Sequence, residues 1–69
     1  MVIGQHDRQR YEAGLQRLRP IDRRAIIANI ELGYNYEQLA LVLDKPTPEA
    51  ARLAVRRALI RLGNEMRSA

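Results

Sequence analysis

The sequence predicts an all-α fold, built from four helices in one small domain. Apolar residues recur at helical spacing through most of the chain, whereas the strict alternation typical of a strand never lasts more than a few residues. Three prolines and four isolated glycines interrupt this spacing and divide the chain into segments. With 69 residues, the chain is long enough for a single domain with a small core.

The first helix is predicted over residues 6–18. Three apolar residues fall on one stripe of this segment: Tyr11, Leu15 and Leu18. Pro20 ends the segment, because the residue before a proline avoids the helical conformation.

The second helix is predicted over residues 20–32. Pro20 suits its first turn, and Asp22 lies where the positive end of the helix dipole favours a carboxylate. Gly33 is expected to end the helix by adopting a left-handed conformation. The predicted apolar set is Ala25, Ile26, Ile27, Ile30 and Leu32.

The third helix is predicted over residues 36–43. Asn35 is a good N-cap, and Gln38 stands three residues later, which is the spacing of a capping box. The predicted buried side of this short helix consists of Leu39, Ala40 and Leu43.

The fourth helix is predicted over residues 48–62. Two closely spaced prolines precede it and indicate a turn. Thr47 is then a good N-cap and Pro48 a good first helical residue. Gly63 is expected to end this helix and to leave residues 64–69 as a tail, with extension of the helix through Glu65 and Met66 as the alternative.

The fourth helix has two contrasting faces. Its predicted buried stripe is Ala51, Val55, Ala58 and Leu62. The opposite face carries Glu49, Arg52, Leu53, Arg56 and Ile60, with Arg57 and Arg61 on its flank. Residues 48–69 contain five arginines against two glutamates, so most of the net charge of +4 lies in this part of the chain.

Composition argues against an enzyme and against cofactor or metal binding. Cysteine is absent, and the chain has one His, one Ser and one Thr. The lone His6 has no partner at a useful spacing. The carboxylates stand near arginines and are expected to form ion pairs, Asp22 with Arg23 and Glu49 with Arg52. No apolar run approaches the roughly 20 residues of a membrane span, so we expect a soluble, cytoplasmic protein with no membrane insertion.

A short helix, a tight turn and a longer arginine-bearing helix form the layout of a helix-turn-helix, which binds the DNA major groove. Arg52 and Arg56 lie one turn apart and suit guanine edges or phosphates. Leu53 suits a thymine methyl group, a partner protein, or coverage by an N-terminal or C-terminal segment of the chain. Tyr36 suits either core packing or a phosphate contact. The competing interpretation of the fourth helix is an ordinary amphipathic helix with solvated arginines.

Three segments resemble a known family when they are taken in this order and spacing. They are Leu18 to Arg24, Gly33-Tyr-Asn-Tyr-Glu-Gln-Leu-Ala40, and Arg57-Ala58 to Leu62. Over residues 9–63 the chain resembles the fourth conserved region of bacterial RNA polymerase sigma factors, and within them the extracytoplasmic-function group.

The resemblance implies a four-helix domain that binds the −35 element of double-stranded promoter DNA. It also implies docking on the β flap of core RNA polymerase and occlusion by an anti-sigma factor. By likeness, Arg52 is the early basic residue of the recognition helix, and Arg56 and Arg57 lie next to its basic pair. Lys45 and Thr47 belong to the turn that approaches the DNA backbone.

The sequence also departs from the family pattern. The common Gly-Thr-Val at the start of the recognition helix is here Glu49-Ala50-Ala51. A common serine and a common arginine are replaced by Leu53 and Ala54. Base preference therefore does not carry over. Because the family's other DNA-contacting regions are absent, we expect either an excised domain or a stand-alone relative.

Two alternatives to promoter recognition follow from the same residues. One is a dimeric helix-turn-helix regulator that is not tied to polymerase. The other is a protein-interaction bundle in which exposed Leu41, Leu53 and Ile60 form the partner surface.

Overall fold

A computed structural model describes the backbone of residues 5–68 and the side chains of residues 7–67, so the side chains of His6 and Ser68 lie outside it. The described part of the chain is all-α and holds no strand, which confirms the predicted fold class. The four helices are α1 (Gln5–Arg17), α2 (Pro20–Ile26, continued by a π-helical segment, Ile27–Glu31), α3 (Tyr36–Val42) and α4 (Pro48–Ser68).

The corner between α1 and α2 is held by one arginine. Arg23 donates from Nε to the carbonyl of Leu15 and from Nη2 to the carbonyl of Leu18, both at 3.0 Å. These carbonyls lie at the end of α1, where backbone acceptors lose their helical partners. The predicted ion pair between Asp22 and Arg23 is therefore wrong, because Arg23 instead caps the preceding helix.

The end of α2 widens into a π-helical turn. The Leu32 N–H donates to the carbonyl of Ile27 at 3.0 Å, five residues back. This wider turn rotates the following side chains away from the 3.6-residue pattern. Ile30 and Leu32, predicted to be apolar packing residues, are consequently 56% and 59% exposed. Gly33 follows with φ 69°, the left-handed conformation expected of it.

The N-cap predictions for α3 and α4 are confirmed. The Asn35 side chain accepts from the Gln38 N–H at 2.8 Å, while the Gln38 side chain accepts from the Asn35 N–H at 2.9 Å. The Thr47 hydroxyl accepts from the Ala50 N–H at 3.1 Å at the start of α4. Both contacts are local, which is why the sequence reveals them.

The fourth helix does not end at residue 62. It continues to Ser68, so Gly63 is helical and the predicted tail, except for residue 69 outside the described range, is a helix. Its last turns pack on α1: the Arg10 guanidinium donates to the Met66 carbonyl at 3.0 Å, and Arg17 lies 3.9 Å from Glu65. These contacts outweigh the roughly 1 kcal/mol helix penalty of one glycine.

Close contact between α1 and α4 also requires a glycine. A Cβ atom on Gly14 would lie 2.9 Å from Cδ1 of Leu62 and 3.1 Å from Cγ of Met66. Any larger residue at this position would push α1 away from α4 or force those side chains to move.

The core forms around α4, which packs against the other three helices. The predicted stripe of α4 is buried, as are the predicted inner residues of α3, and Ile26 and Leu39 are the largest fully buried side chains. The buried apolar residues are Leu15, Leu18, Ala25, Ile26, Ala28, Leu39, Ala40, Leu43, Ala51, Val55, Ala58 and Leu62.

Two leucines of α3 provide a matched test of this core. Leu39 is 0% exposed, whereas Leu41 is 84% exposed. We expect Leu39→Ala to lower the free energy of unfolding by about 2–5 kcal/mol, because it leaves a cavity. Leu41→Ala should change it by less than about 0.5 kcal/mol. Urea unfolding followed by circular dichroism measures both, and equal losses would contradict this core.

Candidate nucleic-acid interface

A shallow groove of about 400 Å³ lies between α4, the start of α3 and the end of α2. Its floor is apolar and its polar side chains are two arginines, a tyrosine and an asparagine. The lining residues are Asn29, Tyr36, Arg52, Val55, Arg56, Leu59 and Ile60. The groove is open to solvent and combines positive charge with apolar surface.

The groove unites three of the predicted site residues: Tyr36, Arg52 and Arg56. Tyr36 is the first residue of α3, directly after the Asn35 cap, and this position places its side chain at the groove. Sequence reasoning did not single out Asn29 or Leu59 as groove residues. Leu59 follows Arg56 by three residues and hence shares its helix face, a signal that was available. Asn29 reaches the groove from α2, which no sequence spacing indicates.

The other predicted site residues lie outside the lining of this groove. Leu53 is part of the outer face of α4, and Arg57 is exposed. Thr47 is exposed in the turn and uses its oxygen as the α4 cap, which leaves its hydroxyl hydrogen available to donate. Lys45 is half-buried, and its backbone N–H donates to the Ala40 carbonyl at 2.7 Å.

Arg52 is held by Glu49, as the sequence predicts. Its Nε donates to both carboxylate oxygens at 3.2 and 3.1 Å, and its Nη2 donates to Oε1 at 2.5 Å. The hydrogen bond from Arg52 lowers the pKa of Glu49, and the same bond raises the pKa of Arg52. Both side chains are thus charged at neutral pH, and the pair is electrically neutral.

The three other arginines within residues 48–62 of α4 divide into two kinds. Arg56 and Arg57 are exposed and form no hydrogen bond or ion pair with any residue that the structure describes. Arg61 instead donates to Oδ1 of the buried Asp22 at 2.9 Å, and Arg19 donates to Oδ2 at 3.2 Å. Arg61 is therefore a structural tie between α4 and α2.

A second groove, of about 430 Å³, lies between α2 and α3. It too combines arginines with apolar side chains, and Tyr34 forms part of it while also packing on the core. Its lining residues are Pro20, Arg23, Arg24, Ile27, Ala28, Leu32, Tyr34 and Val42. The two grooves share no lining residue.

The chain matches no protein-family model, no curated protein and no solved structure. Within residues 5–68, no helix is long and apolar enough to cross a membrane. Among the described side chains, no three of His, Cys, Asp or Glu cluster in a way that could hold a metal ion. The two basic, partly apolar grooves are the features on which a functional proposal can stand.

The two kinds of arginine should respond differently to substitution. Arg61→Ala removes one of the two charged donors to buried Asp22 and should lower the free energy of unfolding by about 1 kcal/mol. Arg57→Ala should change it by less than about 0.5 kcal/mol, because Arg57 is exposed. Thermal unfolding of the two variants tests this, and an equal or larger loss for Arg57→Ala would show that the assignment is wrong.

Proposed function

We propose that this protein binds double-stranded DNA through α3, the turn and α4, acting as a helix-turn-helix. The observation that supports this most strongly is the placement of Tyr36, Arg52 and Arg56 on one solvent-facing groove. Arg56 in this groove and Arg57 beside it on α4 are exposed and have no protein partner among the side chains of residues 7–67. Such side chains bind phosphates at little cost.

The site residues then divide into proposed base contacts and proposed phosphate contacts. Arg52 and Arg56 contact guanine edges, and Leu53 contacts a thymine methyl group. The proposed phosphate contacts are Tyr36, Lys45, Thr47 and Arg57. They fix the position of α4 in the DNA major groove. The proposed role of Glu49 is developed in the following subsection.

With the resemblance to sigma factors, this proposal becomes recognition of the −35 promoter element for bacterial RNA polymerase in the cytoplasm. The groove between α2 and α3 is the proposed contact for the β flap of core polymerase. Its apolar side chains include Ile27 and Val42, and Leu32 is 59% exposed there. An anti-sigma factor would act by covering either groove.

A protein-interaction bundle is the second candidate function. The observation that favours it is Leu41, which is 84% exposed, next to the partly exposed Val42. A large apolar side chain on the surface is a common feature of protein contacts. Leu41 lines neither groove. A partner protein that binds Leu41 would therefore use a surface separate from the proposed DNA and polymerase contacts.

DNA binding is tested with selected duplexes from a random pool, measured by fluorescence anisotropy over a series of salt concentrations. We expect Arg57→Ala to weaken all duplexes alike and to reduce the salt slope by about 0.9. Arg52→Ala should relax the preference for one guanine position. Arg8→Ala, an equal charge change on α1, is the control. Absence of duplex binding, or equal effects of all three changes, would contradict the proposal. Binding of two chains per site would favour a dimeric regulator.

The polymerase contact is tested with two exposed leucines, Leu32 inside the α2–α3 groove and Leu41 outside it. We expect Leu32→Glu to reduce binding to purified bacterial core polymerase by about tenfold or more, because it places a charge on an apolar contact. Leu41→Glu should leave this binding unchanged, and neither change should affect duplex binding. If polymerase does not bind, or if only Leu41→Glu weakens it, this part of the proposal fails.

A further inference from the structure

Glu49 and Arg52 form an ion pair on the outer face of α4 at its start, and this pair leaves part of the Arg52 guanidinium unused. A guanidinium presents its N–H donors as a planar fork. Glu49 accepts from Nε and from Nη2. Glu49 does not use the two hydrogens of Nη1 or the second hydrogen of Nη2. One hydrogen from each of these nitrogens points outward, side by side, at the end of the guanidinium away from Nε. That end has the geometry for a bidentate contact with O6 and N7 of guanine.

The pair also changes how this part of the surface attracts phosphate. Arg56 and Arg57 present full positive charges, whereas the charge of Arg52 is balanced by a carboxylate whose nearest oxygen is 2.5 Å from Nη2. A phosphate that approached Arg52 would meet this carboxylate as well, and like charges repel. The edge of guanine carries no net charge, so it escapes most of that repulsion.

The position of Glu49 helps to maintain the pair. Glu49 lies in the first turn of α4, where the helix dipole favours a carboxylate. Arg52 both contacts Glu49 and lines the groove with Tyr36 and Arg56. An exposed ion pair contributes little to folding stability, so its value here is the orientation it imposes on Arg52 rather than the energy it supplies.

We propose that Glu49 is a positioning residue that directs Arg52 to a guanine edge and keeps it from binding phosphate. This inference rests on the proposed function, since it assigns specificity within the same DNA-binding surface. Its ligand class is a guanine in the DNA major groove. In this arrangement Arg57 supplies salt-dependent affinity, and the Glu49–Arg52 pair together with Arg56 supplies sequence preference.

The test compares Glu49→Gln with Glu12→Gln, an equal charge change on α1, which packs at the other end of α4. The probes are a duplex selected by the unmodified protein from a random pool and a scrambled duplex. We expect Glu49→Gln to steepen the salt slope on the scrambled duplex by about 0.9, since Arg52 becomes available to phosphate. The ratio of specific to scrambled affinity should fall by about tenfold, within the range of one lost base contact. Glu12→Gln should do neither.

Two further variants separate positioning from a structural role. Glu49→Asp keeps the charge at the helix start and should restore the salt slope of the unmodified protein. Arg52→Ala combined with Glu49→Gln should show the slope of Arg52→Ala alone, because no guanidinium is left to release. Circular dichroism checks that each variant folds. By NMR, the pKa of Glu49 should lie below its ordinary 4.5 and return towards it in Arg52→Ala.

The outcomes distinguish this inference from the proposed function. If the protein selects a duplex but Glu49→Gln matches Glu12→Gln in both slope and ratio, the inference is overturned while DNA binding stands. A slope that stays steeper in the double variant would also overturn it, because the effect would then not act through Arg52. If no duplex is bound at all, the proposed function fails first and the inference fails with it.

Discussion

The structure depends on one packing contact, the burial of the small-residue stripe of α4 against the other three helices. Ala51 and Ala58 are fully buried, and their small side chains let the neighbouring helices approach closely. Val55 and Leu62 continue the stripe along the helix. Burial of this face determines which face remains in solvent. The exposed arginines of α4 are thus a consequence of the core rather than a separate feature.

Net charge alone would misrepresent this protein, because its arginines have different roles. Arg23 caps α1, and Arg61 joins α4 to α2 through buried Asp22. Arg52 is neutralised by Glu49. The exposed Arg56 and Arg57 are the cations of α4 that have no protein partner among the described residues. In the proposed function, the arginine held in an ion pair contacts a base edge, and the unpaired arginines on the same helix add the positive charge that an anionic ligand requires.

The two grooves are separate surfaces of this small domain. One is formed mainly by α4 and includes Tyr36, and the other lies between α2 and α3 and includes Tyr34. Because they share no lining residue, the domain is able to present both at once. In the proposed function this arrangement lets one domain of 69 residues contact promoter DNA and polymerase together.

The sequence by itself determined the features that depend on near neighbours: the helical class, the Asn35–Gln38 and Thr47 caps, the buried stripe of α4 and the Glu49–Arg52 pair. Only the tertiary structure decided the rest. The Arg61–Asp22 contact joins residues 39 positions apart, and packing on α1 carries α4 beyond Gly63. The π turn that exposes Ile30 has no local signal either. Local capping energies are set within one helical turn, whereas these outcomes arise from contacts that exist only after the helices pack.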